Sequence, residues 1–267
     1  MGALDISVGN SDEVRTLHRL AMRDVGAMFG QAPGFHAWIE PDAAFLVSGE
    51  PIIDLNMLLI GPTPRAAAVL EAAHDTAEAR GLPFIVLATP DGTLALETAA
   101  ARIGMASAGT MPMMVFRAED SIRLGKPCEV TRADGPASAA IAGDLVSSAF
   151  GIDRESTART LETAVHAASS VDIYICAIEG APRSSVAATR AGDTAGIWCM
   201  ATPPEHQGNG AGRALLTRVL ESQRQAGVRR FYLYATPAGR PLYESIGFET
   251  LAECPVWAFD PSDGASH

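Results

Sequence analysis

The chain has 267 residues, a formal net charge of −11, 48% hydrophobic residues and 19% charged residues. This composition is typical of a globular protein with enough apolar material for one large domain or two small ones. The acidic balance argues against a general binder of nucleic acids or anionic membranes, because both functions require a basic surface. It is compatible with a cationic substrate.

The four cysteines lie far apart, without a Cys-x-x-Cys pair or a histidine at ligand spacing. Buried reduced thiols are therefore expected rather than disulfides or a metal site. Residues 1–7 lack the basic and apolar regions of a signal peptide, and no apolar run reaches membrane length. We expect a cytoplasmic protein with no metal and no membrane or nucleic-acid partner.

In the first half, an apolar run predicts a strand over residues 53–60. Apolar residues at helical spacing then predict a helix over 64–80, which ends before Gly81. The segment Phe84-Ile-Val-Leu-Ala-Thr-Pro-Asp-Gly92 predicts a second strand and a turn. A helical stretch follows, and then the pair Ile103-Gly104.

The second half begins after a polar segment, residues 119–127, that ends in Gly-Lys-Pro. Such a break is typical of a domain boundary, so we predict domains at 1–125 and 126–267. Periodicity and turn residues predict strands at 128–133, 171–179, 183–190, 194–201, 229–236 and 248–259, and helices at 137–150, 155–168, 211–226 and 241–246. The tail, 260–267, is expected to be disordered.

The two halves resemble each other in sequence. Phe231-Tyr-Leu-Tyr-Ala-Thr-Pro-Ala-Gly239 aligns with the segment 84–92, and each copy leads to Ile-Gly followed by an apolar residue. Each copy is also preceded by a strand and by a helix that ends at a glycine. We interpret the chain as two tandem copies of one α/β unit.

The most informative segment is Thr202-Pro-Pro-Glu-His-Gln-Gly-Asn-Gly-Ala-Gly-Arg213, between a predicted strand and a predicted helix. Its glycines leave backbone N–H groups unshielded at the N-terminus of the helix, where the helix dipole favours a bound anion. Arg213 adds a fixed cation. The pattern therefore predicts a ligand that carries phosphate.

Two common phosphate motifs do not fit this segment. A P-loop requires Gly-Lys-Ser/Thr, but the only lysine of the chain is Lys126. The dinucleotide motif requires a third glycine where Arg213 stands. The pattern Gln/Arg-x-x-Gly-x-Gly/Ala does fit, through Gln207, Gly210 and Gly212. This segment resembles the pyrophosphate loop of the GNAT superfamily of N-acetyltransferases, and residues 233–248, with their Leu-Tyr and closing Gly-Phe, are similar to that family's second signature.

The resemblance implies an α/β (α+β) fold with two tandem GNAT-like units, each a mixed central β-sheet flanked by helices. It implies acetyl-CoA as co-substrate, with its pyrophosphate on the loop and its pantetheine arm along the main chain of the preceding strand. The cofactor-binding residues implied in this way are Met200, Ala201, Thr202, Gln207, Gly208, Asn209, Gly210, Ala211, Gly212 and Arg213.

In this family a tyrosine on the short helix after the second signature's strand protonates the departing thiolate, and Tyr243 occupies that position. A thiol of pKa about 8.5 leaves more easily when an acid donates a proton. The alternative is an aromatic ring that packs beneath the cofactor with its hydroxyl on a backbone partner. We predict Tyr243 as the catalytic acid.

The general base is not identified by the sequence. Relatives use a glutamate on the strand before the loop, but residues 194–201 contain no acidic side chain. The remaining candidates are Glu179, Asp193 and Glu205, with His166 and His206 weaker, and a water chain is an alternative. Two further positions stay outside the predicted site: Thr236 stands where many relatives have a cofactor-contacting asparagine, and Trp198 and Tyr232 are typical of core aromatics.

The first copy lacks the features of the loop. Between its strand and helix it has only Gly61-Pro-Thr-Pro-Arg65, and prolines offer no N–H to a phosphate. It also has no counterpart of Tyr243. We therefore expect a degenerate N-terminal copy, which either supports packing or walls the substrate pocket.

The predicted function is that of an acetyl-CoA-dependent N-acetyltransferase that transfers the acetyl group directly to a primary amine of a small molecule. Two alternatives stay open. One is an acyltransferase with another acyl-CoA donor or an oxygen nucleophile, and the other is a non-catalytic CoA-binding or protein-interaction module. A homodimer is compatible with the exposed sheet edges.

Overall fold

A computed structural model describes residues 5–30, 32–167 and 171–262, without the side chains of 5–9 and 161–167. The chain forms two compact units. Unit 1 comprises Met1–Gly26, Pro33–Met113 and Thr250–His267, and unit 2 comprises Ala27–Ala32 and Met114–Glu249. The domains predicted at 1–125 and 126–267 stay a prediction.

The elements of the first half are α1 (Asp5–Phe29), β1 (His36–Glu40), β2 (Ala43–Val47), β3 (Asn56–Ile60), α2 (Ala66–Arg80), β4 (Phe84–Ala88), α3 (Thr93–Arg102) and β5 (Ala106–Arg117). Those of the second half are β6 (Glu129–Arg132), α4 (Pro136–Phe150), α5 (Arg154–Ala167), β7 (Val171–Ile178), β8 (Ala181–Ala191), β9 (Thr194–Ala201), α6 (Ala211–Gln225), β10 (Arg230–Tyr234), α7 (Arg240–Ile246) and β11 (Glu249–Phe259).

In unit 1 the strands follow the order β1-β2-β3-β4-β11. Only β3 and β4 are parallel among the pairs described there, and α2 forms the crossover between them. The core combines the inward face of these strands with α2 and α3, and its largest members are Phe45, Phe84 and Trp257.

Hydrogen bonds of the Asn56 side chain fix the position of the beginning of β3 in unit 1. Its fully buried amide donates to the carbonyls of Glu50, Ile52 and Pro83 at 2.9, 3.0 and 2.9 Å. Its Oδ1 accepts from the N–H and the hydroxyl of Ser48 at 2.9 and 3.2 Å. One side chain therefore satisfies several buried backbone groups.

We expect Asn56→Ala to lower the free energy of unfolding of unit 1 by about 2–3 kcal/mol, because the Ser48 N–H and the three carbonyls lose their partner inside the protein. Urea denaturation measures this change. Thr76→Ala, on the exposed face of α2, is the control and should stay within about 0.5 kcal/mol of wild type. An equal effect of the two substitutions would contradict the role given to Asn56.

In unit 2 the strands follow the order β10-β9-β8-β7-β6, with β9 and β10 parallel and joined by α6. The apolar core around α6 and α7 includes Phe116 of β5, Phe231 of β10 and Phe248, just before β11. The sheet face opposite to this core is covered by α4 and α5. The order of elements from β6 to β11 is the β-α-α-β-β-β-α-β-α-β order predicted for the second copy.

The predicted α/β fold is confirmed, with mixed β-strands flanked by helices in each unit, and most element bounds agree within two residues. One strand was predicted too long. Residues Ile53–Leu55 form a 3-10 turn rather than part of a strand, because the carbonyls around them point at the Asn56 amide. Helix α1 and strands β1, β2 and β5 had no predicted counterpart. Residues 263–267 of the predicted disordered tail lie outside the described residues. No helix within the described residues has the length and apolar character needed to cross a membrane.

Candidate active site

The parallel strands of unit 2 separate part-way along their length. The described register pairs β9 with β10 through Thr194, Ala195 and Gly196 and goes no further. In unit 1, by contrast, the equivalent pairing continues to the last residue of β3, where Ile60 pairs with Ala88. The rest of β9, from Ile197 onward, therefore offers its main-chain groups to another extended partner.

A β-bulge accompanies this separation. Strand β8 pairs Ser185 with Ala201 and Ala187 with Trp198, so one residue of β8 lies opposite two of β9. One of the two is Cys199, which has a left-handed backbone with φ of 47°. Non-glycine residues rarely adopt this conformation, and bulges re-aim a strand beside active sites. The half-buried Cys199 side chain packs next to Val146 of α4.

The residues that follow β9 are fixed by side-chain hydrogen bonds. The Ser184 hydroxyl donates to the Ala201 carbonyl at 2.6 Å and lies 2.9 Å from the Thr202 hydroxyl. The Gln207 amide donates to the Thr202 carbonyl at 3.0 Å. Gln207 therefore holds the turn that leads into the glycine-rich loop. Met200 lies at the bulge, with its methyl group directed towards α6.

The glycine-rich loop presents a row of free donors. The backbone N–H groups from Gly208 to Arg213 have no acceptor among the described residues, whereas the next one, at Ala214, bonds to Gly210. Gly208 and Gly210 have φ of 73° and 84°, a left-handed conformation that side chains other than glycine rarely adopt. The row includes Asn209 and Ala211. Consecutive N–H groups at the start of a helix form an anion-binding concavity.

Two residues of the loop region have packing roles. A Cβ on Gly212 would lie 3.1 Å from both the Met200 methyl carbon and the Thr202 hydroxyl, so the small residue lets α6 approach β9 closely. The Arg213 guanidinium donates to the carbonyl and hydroxyl of Ser245, both at 2.8 Å. The fixed cation expected from Arg213 is thus directed to α7, and its backbone N–H is the group that faces the loop.

Tyr243 lies on α7, with 7% of its surface exposed. Its ring contacts Phe248 edge-on at 5.8 Å, and Gly239 leaves room for the ring, since a Cβ there would lie 3.1 Å from it. Burial raises the pKa of the Tyr243 phenol above its ordinary value, and the nearby Cys199 raises it further. The hydroxyl has no hydrogen-bond partner among the described residues. The structure thus gives no backbone partner of the kind the packing alternative required.

A family model described as an acetyltransferase (GNAT) domain matches residues 169–250. Within this range, the described residues 171–250 are similar to a GNAT acetyltransferase domain. This segment contains β7 to α7 and therefore the bulge, the glycine-rich loop and Tyr243. The GNAT fold supports acyl transfer from coenzyme A.

Solved structures with the same fold extend over both units. A GCN5-related N-acetyltransferase from Kribbella flavida matches with a TM-score of 0.63 and 15% identity, covering 90% of this chain and 95% of that one. A tandem GNAT protein from the clavulanic acid biosynthesis pathway matches with 0.60 and 15%, covering 98% and 97%. A GCN5-related N-acetyltransferase from Sphaerobacter thermophilus matches with 0.58 and 11%, covering 92% and 93%.

The residues of the GNAT domain fit coenzyme A. The free N–H groups and the glycines at 208 and 210 suit a pyrophosphate, and the unpaired part of β9 suits the amide groups of a pantetheine arm. Within the described residues no cluster of histidine, cysteine, aspartate or glutamate could hold a metal ion.

None of the candidate bases is linked to Tyr243 by a described contact. Asp193 lies before β9, at the end of the strand opposite to the loop, where its carbonyl accepts from the N–H groups of Arg229 and Arg230. Glu179 is exposed on the turn after β7 and Glu205 is exposed beside the loop. The length of β9 thus separates Asp193 from the loop by about 25 Å.

The two candidate histidines differ in what the structure describes. The Nη1 atom of Arg183 lies 3.1 Å from both ring nitrogens of His206. The side chain of His166 lies outside the described residues. A general base for the GNAT domain is therefore still unassigned.

Three residues outside the predicted site have structural contacts. The Thr236 hydroxyl accepts from the Gly239 N–H at 3.2 Å and so shapes the turn before α7. Trp198 donates through Nε1 to the Thr189 hydroxyl at 2.9 Å and contacts Tyr232 edge-on at 5.9 Å. Cys199 is the feature that sequence reasoning missed, because neither a bulge nor a left-handed cysteine has a sequence signature.

Proposed function

We propose that the protein is an acetyl-CoA-dependent N-acetyltransferase that acetylates a primary amine of a small molecule by direct transfer. The row of free N–H groups from Gly208 to Arg213, at the start of α6, carries this proposal. Such a row suits the pyrophosphate of coenzyme A, and it lies beside the unpaired part of β9. The cofactor-binding residues proposed are those from Met200 to Thr202 and from Gln207 to Arg213.

The residues of the domain can be assigned roles in the transfer. Acetyl-CoA supplies the acetyl group as a thioester. The loop N–H groups hold its pyrophosphate, and the main chain of Met200, Ala201 and Thr202 orients its pantetheine arm. As the amine nitrogen bonds to the thioester carbon and the C–S bond breaks, Tyr243 donates its phenol proton to the departing thiolate. The proton that the amine loses passes to solvent, from which the phenolate is protonated again. A phenol with an ordinary pKa of about 10 already carries this proton at neutral pH, and burial raises the pKa of Tyr243 further.

We also propose that the N-terminal unit does not hold coenzyme A. Its strands β3 and β4 stay paired to the end, and the Thr89 N–H donates to the Ile60 carbonyl at 3.1 Å. In the turn that follows, the N–H groups of Arg65 and Ala66 both bond to Thr63, through its hydroxyl and its carbonyl. Two N–H groups at the start of α2 are thus occupied, and the described register leaves no unpaired part of β3 facing β4 for a cofactor.

The first test is isothermal titration of the protein with acetyl-CoA, compared with Gly210→Glu. We expect wild type to bind and the variant to bind at least about 30-fold more weakly, because the carboxylate repels the pyrophosphate and a side chain strains the left-handed backbone. Gly192→Glu is the matched control. Gly192 has φ of 61°, is open to solvent and lies in the turn before β9, in the same unit but away from the loop.

Wild-type binding with equal loss in both variants would show a general effect of charge and strain, and would contradict the loop site. No wild-type binding at all would contradict the enzyme proposal.

If acetyl-CoA binds, release of free thiol in the presence of spermidine, tyramine or lysine tests transfer to amines. Propionyl-CoA and succinyl-CoA as donors test the alternative of another acyl group, and binding without turnover of any donor favours a non-catalytic module. A cytoplasmic location and a homodimer stay predictions.

A further inference from the structure

A polar segment of unit 2, residues 118–126, runs along α6 from its end to its beginning. At the end of α6, Arg224 donates to the Ala118 carbonyl at 3.2 Å. Two turns from the beginning, the Thr217 hydroxyl accepts from the Gly125 N–H at 3.1 Å. The last residue of the segment, Lys126, therefore lies beside the glycine-rich loop.

Glycine is required at position 125 by the closeness of this approach. A Cβ on Gly125 would lie 2.5 Å from the Cα and 2.7 Å from the nitrogen of Ala214, in the first turn of α6. Backbone atoms cannot yield at such distances, so a larger residue would displace the segment. Pro127 follows directly and restricts the backbone of Lys126.

Lys126 is the only lysine in the chain, and its side chain lies over the loop. Its Cδ and Cε are 3.9 and 4.0 Å from the position of a Cβ on Gly210, the residue just before α6. No carboxylate among the described residues forms an ion pair with its amine. An exposed cation without a partner thus stands next to a row of free N–H groups.

We propose that the Lys126 ammonium binds a phosphate group of coenzyme A, and that the segment 118–126 acts as a cofactor-binding element of unit 2. This inference rests on the proposed function. The stem of Lys126 covers Gly210, so its charge reaches beyond the loop to the anion that the loop N–H groups hold. A charge-assisted contact of this kind is about twice as strong as a neutral hydrogen bond.

The first experiment is titration of Lys126→Ala with coenzyme A and with dephospho-CoA, which lacks the 3′-phosphate. We expect the Kd for coenzyme A to rise about tenfold. A similar rise with dephospho-CoA assigns the contact to the pyrophosphate, and no rise assigns it to the 3′-phosphate. Lys126→Arg should stay within about threefold of wild type, because it keeps the charge. Gly125→Ala should weaken binding as Lys126→Ala does, because it moves the segment.

Arg229→Ala is the matched control for net charge. Arg229 is exposed, has no ion-pair partner among the described residues and lies just before β10, at the sheet end opposite to the loop. We expect its Kd for coenzyme A to equal that of wild type. If Lys126→Ala binds coenzyme A as tightly as Arg229→Ala does, Lys126 is not a phosphate ligand.

The second experiment uses the fact that the chain has one lysine. Reductive methylation with ¹³C-formaldehyde keeps the charge and labels only Lys126 and the α-amino group, so each gives a separate NMR signal. We expect the Lys126 signal to shift on addition of coenzyme A. An unmoved signal while wild type binds would overturn this inference alone. A wild-type protein that binds no coenzyme A would overturn the proposed function together with it.

Discussion

Replacing Tyr243 with phenylalanine is expected to lower kcat by about 10²–10⁴-fold, with the Kd for acetyl-CoA within about twofold of wild type. The substitution removes one hydroxyl and keeps the buried ring and its contact with Phe248. Because that hydroxyl bonds to no described residue, its loss leaves no unsatisfied protein group. A loss of turnover without a loss of stability or affinity indicates the acid role rather than packing. The measurements are thiol release with saturating acetyl-CoA, titration and thermal unfolding.

Tyr174→Phe is the matched control in the same unit. The Tyr174 hydroxyl accepts from the Gln223 amide at 2.8 Å and donates to Asp172 at 3.3 Å. Its removal should cost about 1 kcal/mol of stability and leave kcat unchanged. Tyr243→Phe is thus expected to lose turnover and keep its stability, whereas Tyr174→Phe is expected to lose stability and keep its turnover. Full turnover of Tyr243→Phe with every amine that wild type acetylates would contradict the role of Tyr243.

The second large effect concerns His18, whose ionisation is expected to make the stability of unit 1 depend on pH. His18 lies on α1 with 1% of its surface exposed. Burial lowers its pKa to about 4, against smaller opposing effects of Asp91 and of a hydrogen bond to the backbone of Ile60. The folded protein therefore holds His18 neutral well below the pH at which an exposed histidine takes up a proton.

The direction of this pH dependence follows from the pKa of His18, which is 6.5 in the unfolded chain and about 4 in the folded protein. Between pH 6.5 and about 4 the unfolded state binds more protons at this site than the folded state does, so stability rises with pH across this window. Above it, the contribution of His18 to stability is complete. On acidification to pH 4, the free energy of unfolding should fall by about 3 kcal/mol through this group.

Comparison with His18→Leu isolates this contribution, because leucine fills the site and does not titrate. Urea denaturation measures the free energy of unfolding of both proteins at pH 7 and at pH 4. Between these pH values, wild type should lose about 3 kcal/mol more than His18→Leu does. Fluorescence in a Trp198→Phe background reports on unit 1, where Trp38 and Trp257 pack in the core. The control is His36→Leu on the half-buried strand β1. An equal pH dependence in wild type and His18→Leu would contradict the linkage.

Local patterns were sufficient to predict much of the fold. Strand β9, helix α6 and the turn between them were found within one residue, because apolar periodicity and glycine positions depend on nearby residues alone. The same holds for the register of Tyr243 within its motif. Helix α1 and strands β1, β2 and β5 were not predicted, and the 3-10 turn before β3 depends on the Asn56 side chain and its contact with Pro83.

The sequence by itself determined which chemical groups are present: a glycine-rich loop at the start of a helix, a tyrosine on a later short helix, and no acidic residue on the strand before the loop. These features depend on neighbours along the chain. The tertiary structure decided where the groups point, because that depends on packing between distant residues. It separated β9 from β10, gave Cys199 its left-handed backbone and directed Arg213 to Ser245. Only packing against Ala214 and Gly210 could place Lys126 beside the loop, since 84 residues separate it from Gly210 in the sequence.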